Sequence, residues 1–95
     1  MSPMSTTAAR PCDHVLYRSV PGTGGVLLDL EGRQYLALDE IAARMWEELA
    51  HTGNTSDVVE TLALEYDVER AVLEEDVERF VQTLADRDLV HRSAS

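Results

Sequence analysis

The sequence predicts an α+β domain in which three short antiparallel strands are followed by three helices. Apolar residues alternate with a period of two between residues 26 and 38, and they recur at helical spacing between residues 40 and 88. A length of 95 residues is enough for one domain and too short for two. We therefore expect one domain at residues 12–92, preceded by a flexible tail at residues 1–11 and followed by a frayed end at residues 93–95.

The strands come first. A first strand is predicted between Asp13 and Val20, and the glycine-rich residues 21–25 end it. A hairpin follows at residues 26–38, with a turn at Glu31-Gly32, where glycine tolerates positive φ. The alternation on its first strand sets Val26, Leu28 and Leu30 against Leu27, Asp29 and Glu31. Its return strand, the third strand of the sheet, places Leu36 and Leu38 on one face and Tyr35 and Ala37 on the other.

The helices are marked by caps and apolar stripes. Asp39 is the expected N-cap of the first helix and Gly53 its end, Ser56 caps the second, and Asp67 begins a third that runs to about Asp88. The apolar stripe of the first helix is Ile41, Ala42, Met45, Trp46 and Leu49. That of the second helix is Val58, Val59, Leu62, Ala63 and Tyr66, and that of the third is Leu73, Val77, Phe80, Val81 and Leu84.

Charge and hydropathy exclude several classes of partner. Eight arginines and no lysine face eighteen acids, for a net charge of -10. Nucleic-acid binding relies on basic residues that neutralise phosphates, so we expect no nucleic-acid partner. We expect no membrane association either, because the longest apolar run, Tyr35–Leu38, is far shorter than a membrane span. A single cysteine and no visible signal peptide predict a cytoplasmic protein.

Catalytic groups are sparse. Cys12 has only His14 near it in sequence, and His14, His51 and His91 are far apart. The acidic cluster at residues 74–78 indicates a solvated helix face. We find no nucleophile–base pair and no metal-ligand spacing, so the sequence favours a binding module without cofactor or metal over a small enzyme. An edge strand beside the third helix would offer such a module a groove for an extended peptide.

Several segments together resemble the PqqD-like proteins, the precursor-recognition elements of ribosomal peptide natural-product pathways. The run from Gly25 to Asp39 reads GVLLDLEGRQYLALD, and Ile41 to Leu49 reads IAARMWEEL. The last helix reads D-V-x-x-F-V-x-x-L from Asp76 to Leu84 and is followed by Leu89-Val90. The match covers residues 14–91, and the chain is most similar to the discrete leader-binding proteins of lasso peptide pathways.

The resemblance implies a winged-helix-like fold and a non-catalytic peptide chaperone. The leader of a precursor peptide, of the Tyr-x-x-Pro type, would add antiparallel to the third strand in the groove beside the third helix. The chaperone would present the precursor to a cysteine leader peptidase and to an asparagine-synthetase-like cyclase. Carried onto this sequence, the predicted peptide-binding residues are Arg33, Gln34, Tyr35, Leu36, Ala37, Leu38, Asp76, Arg79, Phe80 and Thr83.

The sequence is compatible with alternatives on three points. Asp76 and Arg79 either pair with each other or meet polar groups of the leader, and the opposite flank of the helix offers Arg70, Glu74 and Val81 instead. The protein could alternatively serve a radical SAM enzyme, as PqqD does. A winged-helix DNA-binding regulator is the alternative from another class, opposed by three arginines against seven acids over residues 69–88.

Overall fold

The computed structural model describes residues 7–94, with side chains for residues 8–92. Residues 1–6 of the predicted tail and residue 95 of the predicted frayed end lie outside this range. The elements in chain order are β1 (Thr7–Pro11), β2 (Val15–Val20), β3 (Gly24–Asp29), β4 (Gln34–Leu38), α1 (Glu40–Thr52), α2 (Thr55–Glu65), α3 (Arg70–Asp86) and β5 (Val90–Ala94). The predicted α+β order of three antiparallel strands followed by three helices is confirmed in β2–β3–β4 and α1–α3.

A second, two-stranded sheet lies where the sequence predicts a flexible tail and the start of a frayed end. β1 pairs antiparallel with β5, with Pro11 opposite Val90. Ala9 is fully buried, and its amide N–H donates to the carbonyl of Gly53 at 2.9 Å. Two chain ends that are remote in sequence form this sheet, so no local pattern predicted it.

The three-stranded sheet has the order β2-β3-β4, which leaves β2 and β4 as its edges. The alternation predicted for the hairpin is present, and its less apolar side is the buried one. Tyr17, Leu27 and Leu36 are aligned across the strands on the side of the helices, whereas Val26 and Leu28 lie on the outer face. The sequence pattern therefore identified the strands correctly but did not reveal which face of β3 meets the core.

The helix ends follow ordinary capping chemistry. The Asp39 carboxylate accepts from the N–H of Ala42 at 2.8 Å, and Gly53 ends α1 in the left-handed region, both as predicted. The predictions that Ser56 caps α2 and that Asp67 begins α3 are wrong. Asn54 is the cap of α2, because its side chain accepts from the N–H of Asp57, and residues 67–69 form a link without regular secondary structure before α3.

The core lies between the three-stranded sheet and the helices. It combines inward side chains of the sheet with the buried sides of all three helices, including Leu27, Trp46, Leu49, Leu62, Val77, Val81 and Leu84. The predicted stripes supply most of it, although Ile41 is more than one-third exposed and Phe80 is half-buried. Among residues 7–94, no helix combines the length and apolar character that crossing a membrane requires.

Candidate functional site

An open groove of about 400 Å³ lies between the edge strand β4, the start of α1 and one flank of α3. It is lined by Leu36, Ala37, Leu38, Asp39, Ile41, Ala42, Met45, Asp76, Arg79, Phe80 and Thr83. The strand and the first two turns of α1 give it apolar walls, and α3 places charged and hydroxyl groups on the opposite rim. A groove of this shape and composition fits an extended peptide better than a compact polar ligand.

β4 presents free backbone groups to this groove. The amide of Leu30 donates to the carbonyl of His14 at 2.9 Å, which shows that even-numbered residues of β3 pair with β2 and odd-numbered residues with β4. Since Leu27 lies opposite Leu36, the backbone of Leu36 points into the sheet. The N–H and C=O groups of Tyr35 and Ala37 therefore point outward along the free edge, where an added strand would bond to them.

The α3 rim is formed by the flank that the sequence analysis selected. Asp76, Arg79, Phe80 and Thr83 all line the groove, and Arg79 forms an ion pair with Asp76 at 3.3 Å. Both of these charged side chains are well exposed, so the pair adds little to stability, and a ligand would separate the two groups at small cost.

The alternative flank of α3 does not reach the groove. Arg70 forms ion pairs with Glu60 of α2 at 3.0 Å and with Glu74 at 3.3 Å, which places both residues on the side of α2. Val81 is fully buried in the core.

Three predicted residues on β4 or its turn lie outside the lining. Arg33 belongs to the hairpin turn and has a positive φ of 57°. The side-chain amide of Gln34 donates to the Asp29 carboxylate at 3.1 Å and so serves the turn. Tyr35 directs its side chain to the outer face of the sheet and is 70% exposed. Of these three, only Tyr35 has main-chain groups placed on the free edge.

Four further residues line the groove without having been predicted from the sequence as site residues: Asp39, Ile41, Ala42 and Met45. They belong to the β4–α1 junction and the first half of α1, and all but the cap Asp39 were assigned to the core stripe of that helix. The width of the apolar stripe of α1 could have indicated these residues. Ile41 and Ala42 make the stripe wider than one packing face needs.

A side-chain network fixes α1 against the sheet and against α2. The Tyr17 hydroxyl donates to Glu47 at 2.7 Å, and Arg44 donates to Glu47 at 2.9 Å and to Glu65 at 2.6 Å. The hydrogen bonds from Tyr17 and then from Arg44 lower the pKa of Glu47, while burial and the bond to Glu47 raise the pKa of Tyr17. The groove wall supplied by α1 is therefore anchored to β2 of the sheet and to α2.

The described residues offer neither an activated thiol nor a metal-binding cluster. Cys12 is buried, and burial, with the acids Asp88 and Asp13, raises the pKa of its thiol, which keeps it in the less nucleophilic protonated form. No group of three or more His, Cys, Asp or Glu side chains within residues 7–94 is arranged to hold a metal ion.

Comparison with known proteins places this geometry in a family. The family model described as coenzyme PQQ synthesis protein D (PqqD) matches residues 24–90. The solved structure of TbiB1 in complex with the TbiA(beta) leader peptide is similar at 28% identity and a TM-score of 0.80, covering 86% of this chain and 94% of that chain. Lasso peptide synthetase B1 complexed with the leader peptide is similar at 27% identity and a TM-score of 0.77, covering 88% of this chain and 98% of that chain. No curated protein sequence matches the chain.

Proposed function

This chain belongs to the PqqD family, and from that premise we propose that it binds the leader of a ribosomally made precursor peptide without catalysing any change in it. The observation that supports the proposal most directly is the groove, in which an unpaired strand edge lies beside apolar residues of α1 and α3. Both similar solved structures are complexes with a leader peptide.

Binding would proceed by strand addition. The leader would lie antiparallel to β4 and exchange backbone hydrogen bonds with the outward N–H and C=O groups of Tyr35 and Ala37. Every second leader side chain would then point toward the helices, where Ile41, Met45 and Phe80 provide an apolar pocket. An aromatic or aliphatic leader residue fits this pocket, as the tyrosine of a Tyr-x-x-Pro element would.

We place the protein in a lasso peptide pathway in the cytoplasm. The similarity to lasso peptide synthetase B1 supports the pathway, and the unpaired thiol of Cys12 suits a reducing compartment. The bound precursor would be presented to a cysteine leader peptidase, and an asparagine-synthetase-like cyclase would then act on the released core. The alternative partner is a radical SAM enzyme. The two possibilities are distinguished by testing which enzyme, the leader peptidase or the radical SAM enzyme, requires this protein to process the precursor.

The α3 rim supplies the test. We expect Arg79→Ala and Thr83→Ala each to melt within a few degrees of the wild type, because both side chains are exposed. At least one should weaken binding of a labelled Tyr-x-x-Pro leader peptide several-fold, measured by fluorescence anisotropy. Glu75→Ala is the matched control, since Glu75 is exposed on the same helix and does not line the groove. Wild-type affinity in both rim variants would contradict the placement of the leader against α3.

A further inference from the structure

The outer face of the three-stranded sheet, on the side opposite the helices, is apolar, and no element within residues 7–94 covers it. Cross-strand pairing aligns Leu16, Leu28 and Tyr35 in one row and Arg18, Val26 and Ala37 in the next. Leu16 is 44% exposed and Tyr35 70% exposed. Leu28 lies between these two side chains and is half-buried, so the row forms one continuous apolar strip across the sheet. A contiguous exposed apolar patch typically marks a surface that contacts another protein.

The charge on this face differs from that of the molecule. The chain has eighteen acids, yet the outward strand positions of this face carry no carboxylate and one cation, Arg18. Arg18 is exposed and, like Arg10, Arg33 and Arg87, forms no ion pair with any residue between 7 and 94. It is the one of these four arginines that lies at an outward strand position of this face. A partner that covers the face would therefore gain most by placing a carboxylate against Arg18.

We propose that this outer face is the docking surface for the enzyme that acts on the leader-bound precursor, and that the enzyme meets it with an apolar patch bearing a carboxylate. The choice of partner rests on the leader-binding function proposed above. A leader added to β4 would extend the same sheet, and every second leader side chain would emerge on the outer face beside Tyr35 and Ala37. An enzyme seated there would contact the sheet and the bound peptide together.

A second copy of this chain fits the face poorly. A two-fold dimer would bring the same surface from both copies together, and that surface offers no carboxylate to either Arg18. The net charge of -10 on each copy would oppose the contact further.

The test uses the full chain, a labelled Tyr-x-x-Pro leader peptide and the purified cysteine leader peptidase. Leu16→Asp and Arg18→Glu alter the face on β2, the edge remote from β4. We expect each to weaken peptidase binding about tenfold or more, a loss typical of a central interface contact, while leader affinity stays within about twofold. Leu64→Asp is the matched control, since Leu64 is 88% exposed on α2, and it should change neither affinity.

The outcomes separate this inference from the function on which it rests. Peptidase binding at the wild-type level in a folded Arg18→Glu variant would overturn the docking surface and leave leader binding intact. A wild-type dimer in light scattering that Leu16→Asp dissociates would overturn it in favour of self-association. Peptidase binding that requires Arg18, with no leader binding by the wild type, would support the surface and contradict the proposed function.

Discussion

Asp29 is a carboxylate on the buried side of the sheet, at a position where the strand pattern would accommodate an apolar side chain. Its side chain is 5% exposed, yet it accepts from the amides of Glu31 and Gly32 at 3.0 Å and from the Gln34 side chain at 3.1 Å. These bonds close the turn from which β4 starts. A buried acid is tolerated here because the backbone of a tight turn supplies the donors that water would otherwise provide.

The pH dependence of stability follows from these bonds. The N–H of Gly32, the Gln34 amide and the N–H of Glu31 hold the pKa of Asp29 below its usual range. A lowered pKa in the fold means that the carboxylate stabilises the protein above its unfolded pKa, and that this contribution disappears as the pH falls through the folded pKa. We expect Asp29→Asn to lower the melting temperature at neutral pH, and the difference from wild type to shrink as the pH falls below the ordinary pKa of an aspartate.

Thermal unfolding followed by circular dichroism across the acid range measures this effect. Asp67→Asn, in the exposed α2–α3 link, is the control and should not change the acid dependence. A constant difference between wild type and Asp29→Asn at every pH would show that the carboxylate charge is not what the turn requires.

At the scale of the element, the backbone N–H groups of β4 point alternately to β3 and to the open groove. The N–H of Leu36 belongs to the ladder with β3, and the N–H of Ala37 points to the open groove. The start of β3 lies so close to the end of β4 that a Cβ atom at Gly24 would clash with the carbonyl of Leu38. Gly24 also has a φ of +133°, which favours glycine. In the groove, the β4 side offers backbone hydrogen-bonding groups, and the helix side offers side chains.

A pair of proline variants separates these two edges. Proline removes the N–H of the residue that it replaces and is accepted on an edge strand when that N–H faces outward. We expect Ala37→Pro to fold with a near-native circular dichroism spectrum and to bind the Tyr-x-x-Pro leader about tenfold or more weakly, since one strand-addition bond is lost. Leu36→Pro should instead destabilise the hairpin itself and lower the melting temperature.

Titration calorimetry with the leader peptide and a thermal melt of each variant give both readouts. Native leader affinity in a folded Ala37→Pro variant would show that the N–H of Ala37 makes no bond to the leader, which contradicts the strand addition proposed at this residue.

At the scale of the whole molecule, charge is distributed unevenly around the site. Residues 1–40 carry three arginines and five acids, and residues 41–95 carry five arginines and thirteen acids. Most of the acids therefore lie in the helical part of the chain, next to the free edge of β4. The contacts proposed at that edge are backbone hydrogen bonds and apolar pockets. Such contacts act at short range and are screened little by salt.

Salt dependence therefore discriminates between the binding classes. We expect the dissociation constant for the leader peptide to change less than about threefold between roughly 50 and 200 mM salt, whereas a protein with 6–10 phosphate contacts loses about 10³-fold or more. Anisotropy titrations at several salt concentrations, with labelled duplex DNA as the comparison ligand, measure this. Salt-sensitive binding of the duplex at micromolar protein would favour the winged-helix DNA-binding alternative.

The elements and the family could be predicted from the sequence because both depend on local order and spacing. Alternation marked the hairpin, helical spacing marked three helices, and capping chemistry placed Asp39 and Gly53 correctly. The order of motifs from Gly25 to Val90 indicated the PqqD family, and the family model confirms it. Each of these motifs is a short stretch of sequence that can be recognised without knowing how the chain folds.

Tertiary structure alone decided what depends on distant contacts. Only pairing of the two chain ends made a strand of residues 7–11, and only register buried Leu27 and Asp29 while leaving Val26 and Leu28 outside. Packing likewise turned Ile41 of a core stripe toward the groove. Local spacing gives the period of an element, and the direction in which its faces point is set by the elements that pack against it.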